Sequence, residues 1–147
     1  GFSDSYYVYC MDLAATRCKP KYVQAKTLCD LDVATIYRVN QSGFHNETKV
    51  FYGGTVEAQF NFFPRRYTGA DPNPIYRCPV NRGFRDFPSR DPNCEGNGAP
   101  ISVLGYSLPR GVRGAKAVYR CRDSDHFLSW QANCEGKINE ELIGYAW

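Results

Sequence analysis

The chain has 147 residues, a formal net charge of +3, seven cysteines, eleven tyrosines and nine phenylalanines. That length suits one domain. So mild a charge, with no Lys/Arg run, argues against nucleic-acid binding, and no apolar stretch approaches the length of a membrane span.

Residues 1–32 read as a cysteine-containing N-terminal extension packed on the same domain. The chain starts Gly1-Phe2-Ser3 without Met, which suggests a processed product or an excised segment. Tyr6 to Tyr9 favour a β-strand, and Lys21 to Leu28 are a candidate helix. Val33 to Val39 form the next β-favouring run and carry Ile36-Tyr37-Arg38-Val39. Asn40-Gln41-Ser42 and Asn46-Glu47-Thr48 are glycosylation acceptor patterns, and they imply that Val39 to Thr48 is an exposed loop. Lys49 to Tyr52 favour a strand, Gly53-Gly54 a turn, and Thr55 to Phe60 a helix. Beyond the Asp71-Pro72-Asn73-Pro74 turn the pattern recurs as Ile75-Tyr76-Arg77-Cys78, with Ser89 placed to cap a helical turn running into Cys94. Ile101 to Tyr106 is a strand, followed by the Arg110 to Arg113 loop. Val118-Tyr119-Arg120-Cys121 opens a last segment, where Ser129 stands before Cys134 and Leu142 to Trp147 end in a strand.

The tyrosines of these Tyr-Arg phrases lie 39 and 43 residues apart. A period of that size signals a repeat architecture. Arg85-Asp86-Phe87, Asn93-Cys94-Glu95-Gly96 and Leu104-Gly105-Tyr106 are answered by Asp125-His126-Phe127, Asn133-Cys134-Glu135-Gly136 and Ile143-Gly144-Tyr145. The first repeat is degenerate, with Val50-Phe51 at the middle position and Tyr67 near its end. The expected fold is mainly β: three tandem repeats of about 40 residues, 33–70, 71–113 and 114–147, making one disulfide-stapled domain over 33–147. Small units that cannot bury their own apolar faces are expected to close around a pseudo-threefold axis, trefoil-like or as a small propeller.

The second and third repeats each hold two cysteines. The first has Val39 at one of these positions and falls near Ala58 at the other. Joint presence and joint absence is the behaviour of covalent pairs, so Cys78–Cys94 and Cys121–Cys134 are the expected disulfides, each worth roughly 3 kcal/mol by loop closure. Cys10, Cys18 and Cys29 remain. Cys10–Cys29 is the marginal choice for a third bond, leaving one cysteine as a free thiol or a link to another chain. Disulfides need an oxidising compartment, so an extracellular or lumenal location is expected. Without a Cys-x-x-Cys motif, and with His45 and His126 the only histidines, no metal or other cofactor is expected.

The third repeat, with Tyr119-Arg120-Cys121, Asp125-His126-Phe127, Asn133-Cys134-Glu135-Gly136 and Ile143-Gly144-Tyr145, resembles a unit of a secreted repeat family known as DUF5648. The resemblance covers 75–147 well, 33–70 loosely and 1–32 not at all. It implies a carbohydrate-binding role, and it departs in the second repeat, where Asp86 precedes Phe87 and no His is present.

The residues themselves offer the same leading function, a secreted lectin-like domain binding glycans at repeated sites that gain by avidity. Arg85 and Asp86 are the candidates in one repeat; Asp125, His126 and Trp130 are those in the other, with Trp130 as the exposed aromatic in a polar segment. Tyr37, Tyr76 and Tyr119 read as packing residues. The alternative is an extracellular assembly subunit joined through the odd cysteine as a disulfide-linked homo- or hetero-oligomer. A protease-binding loop at Arg110 to Arg113 is a weaker third reading. No nucleophile, zinc or phosphate-loop motif supports an enzyme. Glu95 and Glu135 could pair as glycosidase carboxylates, but their equivalent places point to a repeated structural role.

Overall fold

The computed structural model describes residues 33–49, 53–64, 66, 74–81, 85–108 and 115–147. The expectations for 1–32, including Cys10, Cys18 and Cys29, for Tyr67 and for Arg110 to Arg113 lie outside these residues, as does most of Lys49 to Tyr52.

The chain is mainly β. The strands are β1 (Ala34–Gln41), β2 (Phe44–Thr48), β3 (Thr55–Phe62), β4 (Pro74–Pro79), β5 (Asp86–Ser89), β6 (Ser102–Tyr106), β7 (Lys116–Arg122), β8 (His126–Ser129) and β9 (Ile138–Ala146). They make three separate antiparallel sheets, ordered β2-β1-β3, β5-β4-β6 and β8-β7-β9. The Tyr-Arg strand is central in each. Its β-branched and aromatic residues suit a strand paired on both edges. The described strands do not join into a closed barrel, so the trefoil-like form of the expectation is corrected.

The bulges lie on the third strands. β1 steps from Arg38 to Val39 while β3 steps from Ala58 to Val56, and β7 steps from Arg120 to Cys121 while β9 steps from Glu141 to Asn139, so Glu57 and Glu140 are the extra residues. The central strands keep their alternation of faces. Arg38 and Val39, like Arg120 and Cys121, are both buried because both faces of the central strand are covered there.

Two local readings are corrected. Thr55 to Phe60 is not helical but belongs to β3, antiparallel to β1. Glu57, Ala58 and Gln59 favour a helix locally, yet pairing with β1 buries Phe60 and Phe62 completely, and that burial outweighs propensity. Val39 to Thr48 is not an exposed loop but a hairpin of β1 and β2. Ser42 and Gly43 make its turn with φ of 54° and 89°, the positive pair that matches the twist of flanking strands.

Both expected disulfides within the described residues are present, Cys78–Cys94 and Cys121–Cys134. Each packs with a phenylalanine and a half-buried tyrosine: Phe87 and Tyr76 for the first, Phe127 and Tyr119 for the second. The helical turns expected at their second cysteines are short 3-10 turns, Cys94–Gly96 and Cys134–Gly136, and they are left-handed. Cys94, Glu95 and Gly96 have φ of 51°, 55° and 87°. Ser89 and Ser129 stand before them, each hydroxyl accepting a backbone N–H, from Asp91 and Gln131 respectively. In the first repeat Ala58 is not the counterpart of the second cysteine; it lies on β3 opposite Arg38.

One core joins the sheets. Ile36, Phe60, Phe62, Ile75, Leu104, Val118, Leu128 and Ile143 pack into a single cluster. The ends of the third strands also meet. Asn61 exchanges backbone hydrogen bonds with Trp147, Phe63 exchanges them with Tyr106, and the Leu108 N–H donates to the Tyr145 carbonyl. The β-register places Asn61 opposite Thr35, as Tyr106 lies opposite Pro74 and Tyr145 opposite Ala117. Asn61 therefore occupies that position in the first sheet.

The glycine of each Gly-Tyr pair is explained by this crossing. A Cβ on Gly105 would lie 2.8 Å from Phe62 Cβ and 3.0 Å from the Phe63 carbonyl oxygen; on Gly144 it would lie 2.8 Å from Ser107 Cβ. These atoms are backbone or next to it and cannot rotate away. Gly105→Ala is expected to cost about 1–3 kcal/mol through overpacking. A denaturant midpoint unchanged from the parent would show that the strands do not meet as closely as described.

Candidate functional site

The second strands of the three sheets, β2, β5 and β8, touch one another in all three pairings. Their leading ends occupy matching places. His45 pairs with Asn40, Asp86 with Pro79 and His126 with Arg122, each near the free end of the central strand. Immediately before them stand Phe44, Arg85 and Asp125. One position thus carries an aromatic, a cation and an anion.

These six residues, with Val80 and Ser124, line a pocket of about 100 Å³. Four of the five residues nominated from sequence, Arg85, Asp86, Asp125 and His126, come together in it. They form one shared pocket rather than a site per repeat. The fifth does not join them: Trp130 is half-buried against the core, its ring 4.7 Å from Phe60. Its polar neighbours Ser129 and Gln131 suggest exposure, but the end of β8 lies on the Phe60 side chain of another sheet.

The carboxylates of the pocket are already engaged. Asp125 Oδ1 lies 2.9 Å from His45 Nδ1, and the His45 backbone N–H donates to Asp125 Oδ2. His45 Nε2 lies 3.0 Å from Glu57 Oε1. In its cationic form this ring donates to both acids, while its face packs 4.8 Å from Phe127. Asp86 Oδ2 accepts from Arg77 Nε at 2.7 Å. Burial raises the Asp86 pKa and Arg77 opposes the shift. Asp86 is the floor of the pocket, its side chain only 1% exposed, and its Oδ1 has no hydrogen-bond partner.

Behind the floor lies Glu47, which sequence reasoning passed over. Its Oε1 accepts the Leu128 N–H at 2.8 Å, and its Oε2 has no partner. Complete burial pushes its pKa up to about 8, with the charges of Asp86 and Asp125 adding to the effect. Glu47 is therefore neutral at pH 7. His126 is shifted the other way. Burial lowers its pKa despite Glu140, whose Oε1 is 3.1 Å from Nε2. The neutral imidazole thus persists to lower pH than an exposed histidine would allow.

Arg85 differs from its neighbours. Its guanidinium lies 3.7 Å above the Phe44 ring, and it pairs with no carboxylate among the described residues. Phe44 itself is 38% exposed.

The arginines of the Tyr-Arg phrases are the other residues the sequence did not assign. Arg38 is bidentate to Glu135, at 2.7 and 3.1 Å, and donates to the Leu128 carbonyl. Arg120 is bidentate to Glu95, at 2.6 and 3.1 Å, and donates to the Pro88 carbonyl. Arg120 Nε is also 3.1 Å from Glu140, close enough for ion pairing but not aligned as a hydrogen bond. Each arginine reaches the Cys-Glu-Gly turn of a different sheet. The arginine hydrogen bonds hold the Glu95 and Glu135 pKa values below the ordinary carboxylate value, so neither glutamate is poised as an acid. The available signal was charge complementarity: an Arg recurring after Tyr and a Glu recurring before Gly.

Both glycosylation acceptors lie on the first hairpin. Asn40 Oδ1 accepts the Gly43 N–H, and Asn46 Nδ2 donates to Gln41 Oε1. Among the described residues no group of three or more His, Cys, Asp or Glu is arranged to hold a metal ion, and no helix is long and apolar enough to cross a membrane. No family model, curated protein or solved structure matches the chain.

Proposed function

We propose that this chain is a secreted glycan-binding domain with one site, the pocket where β2, β5 and β8 meet. The observation that carries the reading is convergence. Residues nominated separately in two sequence repeats line a single concave surface, joined there by a half-exposed aromatic. Sugars need this mixture, an apolar face for C–H surface and charged or polar groups that bond hydroxyls strongly. Phe44 supplies the first; Arg85, Ser124 and His126 supply the second.

The likeness of 75–147 to the DUF5648 repeat belongs to the same reading, as do glycosylation at Asn40 or Asn46 and an extracellular location, with which the two disulfides are compatible. So does a propeller-like pseudo-threefold arrangement. It is supported by the shared strand order, the two equivalent Arg–Glu pairs and the end-to-end bonds of the third strands. A pocket built jointly implies one ligand per chain rather than several weak sites.

The test is a broad glycan screen on the intact protein, then titration of the strongest hit. One ligand per chain is expected. Phe44→Ala and His126→Ala should each weaken binding by roughly 10-fold or more, about 1.4 kcal/mol, with unchanged melting. Binding unaffected by both would place the site elsewhere, and no hit would reject the glycan reading.

A further inference from the structure

We propose that the group seated in this pocket is the carboxylate of a uronic acid residue, gripped by Arg85. This rests on the glycan reading above and names the ligand class. The Arg85 guanidinium points to it. The two lining carboxylates are engaged within the protein, Asp86 by Arg77 and Asp125 by the His45 backbone N–H. The guanidinium of Arg85 is the pocket cation left over among the described residues. A guanidinium without a carboxylate partner favours an anionic group, and the carboxylates beside it repel that group less because each already accepts a hydrogen bond from a neighbour.

Geometry narrows the anion further. A guanidinium presents a planar fork that fits a carboxylate through two parallel hydrogen bonds. Stacking on Phe44 at 3.7 Å holds the fork in place before a ligand arrives and lowers the entropy lost on binding. The pocket is small, about 100 Å³, against the roughly 300–1,000 Å³ of clefts that enclose most of a drug-sized ligand. It suits the carboxylate end of a sugar better than an enclosed oligosaccharide. The ring then lies across the mouth, where the exposed edge of Phe44 and the Ser124 hydroxyl meet its C–H and O–H groups. Asp86 is too covered to grip the ligand; it shapes the floor.

The experiment is calorimetric titration of the intact protein with trimers of galacturonic and glucuronic acid, their carboxyl-reduced neutral counterparts, and a sulfated neutral trimer. At least one uronide trimer should bind roughly 10- to 100-fold tighter than its reduced counterpart, the span expected of charge-assisted hydrogen bonds. The preference should weaken as salt rises. Arg85→Gln should erase it without lowering the melting temperature, because Arg85 is exposed, and Arg85→Lys should keep only part. Equal binding of uronide and reduced trimers would leave the glycan reading standing and overturn this inference. Sulfated trimer binding in place of uronide would overturn the carboxylate assignment. Failure of every trimer and of the broad screen would reject both.

Discussion

Replacing Glu47 by Gln is expected to stabilise the protein at pH 9 and leave it nearly unchanged at pH 5. Burial keeps the Glu47 carboxyl protonated up to about pH 8 in the fold, whereas its ordinary value is 4.5. Between those values the native state holds a proton that the unfolded chain has released. The stabilisation linked to that proton is therefore complete below about pH 4.5 and is lost as pH rises through 8. The slope is about 1.4 kcal/mol per pH unit, so the full loss is on the order of 5 kcal/mol. Asp86 is raised too and acts in the same direction. Glu95 and Glu135 are lowered, so their contributions are present above the ordinary carboxylate value and are lost on acidification. Gln at position 47 keeps an oxygen for the Leu128 N–H and cannot ionise. Its stability should consequently be flatter across pH 5–9 than the parent's, measured by denaturant unfolding at several pH values. Parallel curves for parent and variant would show that Glu47 is not buried as described.

Arg38→Met is expected to lower stability by about 3 kcal/mol, while Arg85→Gln, a change at an equally charged residue, should lower it hardly at all. Breaking a buried ion pair by removing one partner costs about 3–5 kcal/mol. The lower end applies here because Glu135 is 36% exposed in its side chain and can be rehydrated. What cannot be rehydrated is the Leu128 carbonyl, which loses the Arg38 donor inside the core, a loss of about 1–3 kcal/mol on its own. Arg38→Lys should recover only part of the loss, since an ammonium cannot reach the two Glu135 oxygens and the Leu128 carbonyl with the same fork. The measurement is the urea midpoint of the variants side by side. Equal stability of Arg38→Met and the parent would mean that the pair joining these two sheets contributes nothing.

The candidate site was partly legible because some of its chemistry is local. Asp125-His126-Phe127 and Arg85-Asp86-Phe87 stand out as recurring polar steps beside an aromatic, and each begins a short strand whose leading end faces the pocket. Phe44 and His45 occupy the same place in the first hairpin, but the acceptor patterns around them suggest a loop and shift the matching step to Lys49-Val50-Phe51. The Ser42-Gly43 turn was the available signal for the correct register, since two residues of positive φ there require a tight hairpin.

What the sequence determined by itself comes from short-range and covalent constraints. The Tyr-Arg runs become central strands because β-branched and aromatic residues pack on a pleated surface. The joint absence of two cysteines identified the pairs Cys78–Cys94 and Cys121–Cys134, and Ser89 and Ser129 announced a helical turn running into the second cysteine of each. Tertiary structure alone decided the rest. It turned Thr55 to Phe60 into a strand, sank Trp130 onto Phe60, buried Glu47 behind Asp86, and carried Arg38 and Arg120 across to glutamates of other sheets. In each case the deciding partner is distant in the chain, mostly on another sheet, and burial, charge and exposure depend on those partners. No local window of sequence contains them.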